Sequence, residues 1–152
     1  MASNRHLGRI VALQSLYEYE FRHSDETPVD VDAVIERNLD RYKDDIGDTK
    51  FVSELVNGVI EHLAKLDETL QPLAPDWPLA QVARIDRNIL RIGLYELLYK
   101  QADVPSRVAI NEAVELAKSF GSDNSSKFIN GVLGTAYRTL VEEQGDGNTS
   151  EV

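Results

Sequence analysis

The sequence contains no cysteine among its 152 residues, which excludes a disulfide framework, a thiolate zinc site and a cysteine nucleophile. That composition suits a reducing, cytoplasmic location. No apolar run approaches the roughly 18 residues that a membrane span requires, so no membrane segment is predicted. The opening residues interrupt their apolar positions with Arg9, Gln14 and Glu18, so we expect no secretory signal core there. The length favours a single domain, by the rule of about 100–200 residues per domain.

Motifs that carry catalytic chemistry are also missing. The chain has no phosphate-binding loop, no dinucleotide-binding glycine pattern and no HExxH metal motif. The histidines, His6, His23 and His62, are scattered without the spacing of metal ligands. We therefore predict a protein that is not an enzyme and that has no catalytic residues, metal site or cofactor.

Positive charge is scarce, since the formal net charge is −10, and this alone argues against nucleic-acid binding. The acids are segregated, however. Residues 24–70 hold 13 acids and 5 bases, and the segment from Glu142 adds 4 acids and no base. Residues 1–23 and 71–141 each carry a net charge of +1. A local basic surface is therefore compatible with the sequence, because local potential steers a charged partner more than total charge does.

Apolar periodicity predicts helices along nearly the whole chain, and no segment alternates long enough to predict a strand. We expect an all-α domain of about seven helices over residues 1–144. A proline-rich connector holding Trp77 would separate halves over residues 1–74 and 78–144. The final residues, 145–152, are predicted to form a disordered tail. The predicted helices run over about 3–22, 30–42, 50–66, 67–73, 84–100, 106–120 and 125–143, with a turn over 79–82.

The first helix combines basic, amide and aromatic residues. Arg5 and Arg9 are spaced i, i+4 and share a face, with His6 beside them. Gln14 lies among apolar positions, where an unpaired amide would cost roughly 1–3 kcal/mol. Two interpretations stay open: the amide bonds a neighbouring helix backbone, or it reads an RNA base edge beside a Tyr17 ring on which a base stacks. The apolar stripe of this helix is predicted to comprise Leu7, Ile10, Val11, Tyr17 and Phe21.

The helix that opens the second half carries Arg84, Arg87 and Arg91 at i, i+3, i+7. This spacing predicts one cationic stripe along an otherwise apolar helix. On spacing alone it is either a solvated face that pairs with local acids such as Asp86, or a surface for a charged partner.

Glycines mark two further places in the second half. Gly93 in mid-helix costs about 1 kcal/mol relative to alanine, which is explained if another helix packs closely there. Gly121 is predicted to end the helix before the loop SFGSDNSSKF, with Phe120 and Ile129 in the core on either side, and Ser106 to cap the helix that begins there. The residues expected to supply the close contact to Gly93 are Gly131 and Gly134.

These residues resemble a known family. The segments ILRIGLYELLY and DVPSRVAINEAVELAKSFGSDNSSKFINGVL closely resemble the second half of the NusB family of bacterial transcription antitermination factors. The opening GRIVALQSLYEYE is similar to the first helix of that family. The resemblance covers about residues 5–141, and it is most specific between Arg84 and Leu133.

The resemblance implies a function and partners. It implies a compact helical fold of two three-helix halves. It also implies binding to boxA, a short single-stranded RNA element of ribosomal RNA leader transcripts. The expected protein partner is NusE, a small-subunit ribosomal protein, within an RNA polymerase antitermination complex.

The resemblance also transfers site residues to this chain. The RNA face is expected to use the basic opening of the first helix, its glutamine and tyrosine, and the loop before FINGVL. A second set, on the helix that opens the second half, is expected at the RNA or NusE surface: Arg84, Asp86, Arg87 and Arg91. The RNA-binding set comprises Arg5, His6, Arg9, Gln14, Tyr17, Asn124, Ser125, Lys127 and Phe128.

One feature departs from the family pattern. Many relatives open with several consecutive arginines, whereas this chain has RHLGR. Fewer cations make fewer phosphate contacts, so weaker and less salt-sensitive binding is expected. An amide at Asn124, where relatives often have an acid, removes one repulsion against phosphate. The alternative hypothesis is a protein-only helical module or homodimer whose RNA binding is weak or lost.

Overall fold

The computed structural model describes residues 4–142, and in that range the chain is all-α, as predicted. It divides into two compact units, the first ending at Glu61 and the second beginning at His62. The predicted tail, 145–152, and the end of the last predicted helix lie outside the described residues. No described helix is long and apolar enough to span a bilayer. Eight α-helices are described: α1 (Arg5–Arg22), α2 (Val31–Leu39), α3 (Lys43–Ile46), α4 (Thr49–Glu61), α5 (Leu63–Leu73), α6 (Arg84–Tyr99), α7 (Ser106–Phe120) and α8 (Ser125–Ala136).

In the first unit, α1 packs against α2 and α4. Side-chain caps fix where its helices begin. Asn4 Oδ1 accepts from Leu7 N at 3.0 Å and caps α1, and Asp30 caps α2 in the same way. Asp48 Oδ1 accepts from Phe51 N at 3.2 Å and so caps the start of α4. Each cap satisfies a backbone N–H that the first helical turn cannot pair internally.

Several helix boundaries differ from the predicted ones. The helix predicted over 30–42 ends at Leu39. The short α3 follows it and stops at Gly47, whose φ of 79° ends the helix. The single helix predicted over 50–66 is interrupted at His62, so α5 belongs to the second unit. Ser106, predicted as a cap, is the first residue of α7. Pro105 precedes it in an extended conformation. The missing backbone N–H of this proline costs no helical hydrogen bond, because an N–H at the start of a helix has no acceptor within the helix.

In the second unit, α6 is the central helix. It packs against α5, α7 and α8, and α7 also packs against α8. A 3₁₀ turn over Leu79–Gln81 precedes α6, and a π-helical segment over Tyr137–Glu142 continues α8. The buried interior of α6 runs without interruption from Asn88 to Leu97. A helix that is buried on every side must be covered by neighbours all round, so α6 fixes the positions of the other helices in this unit.

Gly93 lies where α6 meets α7 and α8. A Cβ built on it would lie 2.5 Å from Leu133 Cδ1 and 3.3 Å from the Cβ of Ala113. The expected close packing at Gly93 is therefore present, but the residues predicted to supply it were wrong. A Cβ on Gly131 would meet nothing within 4 Å, and one on Gly134 would meet only the guanidinium of Arg138 at 3.4 Å.

Replacing Gly93 by alanine is expected to lower the free energy of unfolding by about 1–3 kcal/mol, the usual cost of overpacking a core. The added methyl forces the fully buried Leu133 side chain out of its present position. Gly131→Ala is the matched control in the same unit. It gains helix propensity, worth about 1 kcal/mol, and meets no neighbour. Urea unfolding of both variants tests this, and equal stabilisation by the two changes would contradict it.

Candidate nucleic-acid interface

The two arginines at the start of α1 lie over one aromatic ring. Arg5 Cζ is 4.8 Å and Arg9 Cζ is 5.2 Å from the centroid of the Phe51 ring, distances at which a guanidinium interacts with a ring face. Arg9 is only 2% exposed, whereas Arg5 is partly exposed and His6 is exposed. The burial of Arg9 does not suit the direct phosphate contact that was expected of it.

Part of the α1 face that was predicted to be buried is exposed to solvent. Gln14 is exposed, as are Tyr17 and, at 70%, Phe21. The predicted apolar stripe is therefore wrong at Tyr17 and Phe21, although it is confirmed at Val11, which is fully buried. The exposed Gln14 amide carries no burial penalty. Gln14, Tyr17 and Phe21 recur at i, i+3, i+7, so they form one solvent-facing stripe. Three small residues, Gly8, Ala12 and Ser15, lie on the buried side of α1. The full set of buried residues in this helix is Gly8, Arg9, Val11, Ala12, Leu13, Ser15 and Leu16.

The loop between α7 and α8 is organised by the Ser125 hydroxyl, which is 2% exposed. Ser125 Oγ donates to Asp86 Oδ2 at 2.9 Å and accepts from Ser122 N at 2.9 Å. Ser122 Oγ lies 3.1 Å away. Ser122 Oγ donates to Ser125 Oγ, because the single hydroxyl hydrogen of Ser125 is directed at Asp86. Ser125, expected to contact RNA, is instead occupied inside the protein.

A cavity of about 280 Å³ lies beside this loop. Trp77, which is 57% exposed, and Phe128 give it aromatic lining, and Gln81 and Asn124 add amides. The other carboxylate oxygen of Asp86, Oδ1, is buried without a hydrogen-bond partner among the described residues. The cavity is thus apolar with a few polar groups at its edge, a composition typical of binding sites for small planar groups. Lys127 is exposed on the first turn of α8.

Two arginines of the predicted cationic stripe on α6, Arg87 and Arg91, are engaged by other groups of the protein. Arg87 Nη1 donates to the backbone carbonyls of Leu79, Ala80 and Val82 at 3.2–3.3 Å and so holds the 3₁₀ turn against α6. Arg84 is partly exposed. The expectation of one solvated stripe along α6 is wrong, because Arg87 supports the turn that carries part of the cavity lining.

Arg91 is buried and forms a two-pronged ion pair with Asp67 of α5. Its Nε and Nη2 donate to Asp67 Oδ1 and Oδ2, both at 2.8 Å, and its Nη1 donates to Asn88 Oδ1 at 3.2 Å. The acid expected to pair with this stripe, Asp86, accepts instead from Ser125. Arg91 therefore joins α5 to α6 and is not available to an external ligand.

Two residues that sequence reasoning did not assign to a site take part in these features. Trp77 lines the cavity, and Phe51 lies under the arginines of α1. The position of Trp77 in a proline-rich connector was a usable signal, since a large aromatic residue in a polar loop needs a reason. Phe51 carried no such signal, because a phenylalanine on an apolar helix face is read as core. Among the described residues, no cluster of three or more histidine, aspartate or glutamate side chains suits a metal ion.

A family model and individual relatives both identify the family to which this chain is similar. The NusB family model matches residues 6–138. The transcription antitermination protein NusB of Chloroflexus aggregans is 45% identical over 145 residues, which cover 95% of this chain and 93% of that protein. The protein of the same description from Roseiflexus castenholzii is 46% identical over 143 residues, which cover 93% of this chain and 97% of that protein.

Solved structures give the same result for the fold. The structure of T. maritima NusB is 31% identical with a TM-score of 0.80, covering 91% of this chain and 94% of that one. A further similar chain comes from a structure described as antitermination factors NusB and NusE in complex with double-stranded RNA. It is 22% identical with a TM-score of 0.75, covering 90% of this chain and 97% of that one, and it shows the fold alone.

Removing the acid that pairs with Arg91 is expected to destabilise the second unit. Asp67→Ala leaves a buried guanidinium without its carboxylate, which costs about 3–5 kcal/mol in buried pairs. We expect the lower end, because Asp67 is itself partly exposed. Glu115→Ala, which breaks the exposed pair with Lys118, is the control and should cost less than about 1 kcal/mol. Equal losses in urea unfolding would show that Arg91 does not depend on Asp67.

Proposed function

The chain belongs to the NusB family of transcription antitermination proteins, and from this membership we propose that it binds boxA RNA of ribosomal RNA leader transcripts together with NusE. The complex would act on RNA polymerase, in the cytoplasm, and make it resist termination. The role is non-catalytic, and it requires RNA affinity and a protein partner only. The description of a similar chain as bound to NusE and RNA supports the choice of partners.

The observation that carries this proposal is the cavity at the start of α8. Single-stranded RNA is recognised mainly by stacking of splayed bases on aromatic rings and by hydrogen bonds to base edges. Trp77 and Phe128 supply ring surfaces at the cavity, and the exposed Asn124 amide supplies both a donor and an acceptor. Lys127, exposed beside them, supplies a charge for phosphate. We assign Ser125 the role of holding this group in place.

The first unit supplies a second set of RNA contacts in this proposal. Tyr17 offers an exposed ring and Gln14 an exposed amide on the same stripe of α1, so both suit base contacts. Arg5 and His6, at the start of α1, suit phosphate contacts. Arg9 is assigned an indirect role, because its guanidinium is buried.

NusE would dock on the second unit, where Arg84 and Asp86 are the partly exposed charged residues of the first turn of α6. The Arg87 guanidinium is hydrogen-bonded to backbone carbonyls and that of Arg91 to Asp67, so we do not assign them to this contact. With so few accessible cations, the protein alone is expected to bind RNA weakly. A second protein that contacts both this chain and the RNA would then supply much of the affinity.

An anisotropy titration of labelled boxA RNA tests this proposal. We expect weak binding by the chain alone and tighter binding when NusE is present, with boxA preferred to a scrambled RNA of the same composition. The salt dependence should be shallow, because each phosphate contact contributes a slope of only about −0.7 for a single strand. Equal, weak binding to both RNAs with and without NusE would overturn the proposal.

Substitution of Phe128 by alanine is expected to weaken boxA binding by about 1–3 kcal/mol, the usual value of one stacked base. Phe120→Ala is the matched control. Phe120 is also exposed near the same loop, contrary to its prediction as a core residue, and it is not part of the cavity lining. Affinities are compared in the presence of NusE, with thermal unfolding as a check on the fold. A similar loss in both variants would exclude a specific role for the Phe128 ring.

The exposed aromatic rings also suit a protein partner, and Phe21 at 70% exposure is the observation that favours this second candidate. A protein-only module, or a homodimer, would use such a ring for docking. Size-exclusion chromatography with light scattering separates the candidates. A stable dimer that boxA RNA leaves unchanged would favour the protein-only function, and a monomer that joins NusE and RNA would favour antitermination.

A further inference from the structure

Phe51 lies on α4 but is in contact with the two arginines at the start of α1, Arg5 and Arg9. It is 7% exposed, so it reads as an ordinary core residue. Its ring nevertheless has the guanidinium groups of Arg5 and Arg9 at centroid distances of 4.8 Å and 5.2 Å. Since Arg5 and Arg9 are one helical turn apart, the ring serves two cations of one helix face. A leucine of similar size would fill the core here without attracting either cation.

The position of the ring is fixed from two directions. On its own helix, the Phe51 backbone N–H is held by the Asp48 carboxylate that caps α4. On the facing helix, Gly8 leaves room for the ring, because a Cβ on Gly8 would lie 3.2 Å from Phe51 Cδ2 and 3.3 Å from Val52 Cγ2. Both constraints hold the ring against the start of α1. The ring is therefore a fixed platform.

We propose that Phe51 is a positioning residue for RNA binding, one that holds the partly exposed Arg5 guanidinium at the start of α1 while Arg9 is kept inside against the same ring. This inference rests on the proposed RNA-binding function. An arginine that is already ordered loses less conformational entropy when it meets a phosphate. This chain opens with RHLGR and so has few cations near its start. Ordering one of them therefore contributes a larger share of its RNA affinity than it would in a chain with many cations there.

The test compares substitutions that keep or remove the aromatic face. Phe51→Leu keeps an apolar side chain and removes the ring, and Phe51→Tyr restores a ring. Val59→Ala, a buried position of the same helix, controls for lost core packing that is remote from the arginines. Each variant is titrated with boxA RNA and NusE over a series of salt concentrations, alone and combined with Arg5→Ala. The side-chain Nε–Hε signal of Arg5 is followed by NMR, because a ring current shifts it only if the ring stays close.

We expect Phe51→Leu to weaken RNA binding about threefold to tenfold, and Phe51→Tyr to restore it. In the Arg5→Ala background, Phe51→Leu should cause no further loss, because a residue that acts through Arg5 has no effect without it. The Arg5 signal should lose its ring-current shift in Phe51→Leu alone.

Three results would overturn the inference. These are an unchanged RNA affinity in Phe51→Leu, an effect of Phe51→Leu that persists undiminished without Arg5, and an equal effect of Val59→Ala at equal loss of stability. These failures are distinguishable from a failure of the proposed function, in which the unaltered chain does not bind boxA RNA with NusE at all. In that case an Arg5 signal that responds to Phe51→Leu would show the ring holding Arg5 for a different purpose, and the role in RNA binding would be refuted.

Discussion

The hydroxyl of Ser125 joins three parts of the second unit through one buried atom. The hydroxyl donates to the Asp86 carboxylate of α6 and accepts from the backbone N–H of Ser122, which follows α7. Ser125 is itself the first residue of α8. Gly121 makes this possible, since a Cβ there would lie 2.5 Å from the Cβ of Ser125. Asp86 and Ser125, the two partners in this side-chain bond, both line the cavity. The geometry of the cavity thus follows from this internal bond.

Scarcity of accessible positive charge is the second constraint on function. Several arginines are used internally: Arg87 holds a turn, Arg91 pairs with Asp67, and Arg9 lies against Phe51. A protein with a formal net charge of −10 and few free cations cannot attract a polyanion strongly by charge alone. Its rings and amides must then carry more of the affinity, which agrees with the exposure of Tyr17 and Trp77. A protein partner that adds cations complements such a surface.

Periodicity predicted the helical class and most helices, because large apolar residues recur at helical spacing wherever a helix has one buried face. It failed in the second half of α1, where the predicted stripe residues Tyr17 and Phe21 are exposed, and it missed small buried residues such as Gly8 and Ala12. Close helix packing selects small side chains, so hydrophobic size misplaces the buried face there. The helix interruption at His62 could not be predicted from the sequence either, since no proline or glycine marks it. Residue roles such as that of Ser125 depend on contacts far apart in sequence.

The loop SFGSDNSSKF shows why small residues alone do not identify a ligand contact. Two of its small residues, Gly121 and Ser125, are in close contact with each other, because a Cβ on Gly121 would lie 2.5 Å from the Cβ of Ser125. The residues of this loop that a ligand can reach are the exposed Asn124 and Lys127 and the partly buried Phe128 at the cavity. Buried residues that hold the loop and exposed residues that can contact a ligand therefore alternate along one short segment. In the proposed function this order favours RNA binding, because residues that are already held in place lose less entropy when a base binds.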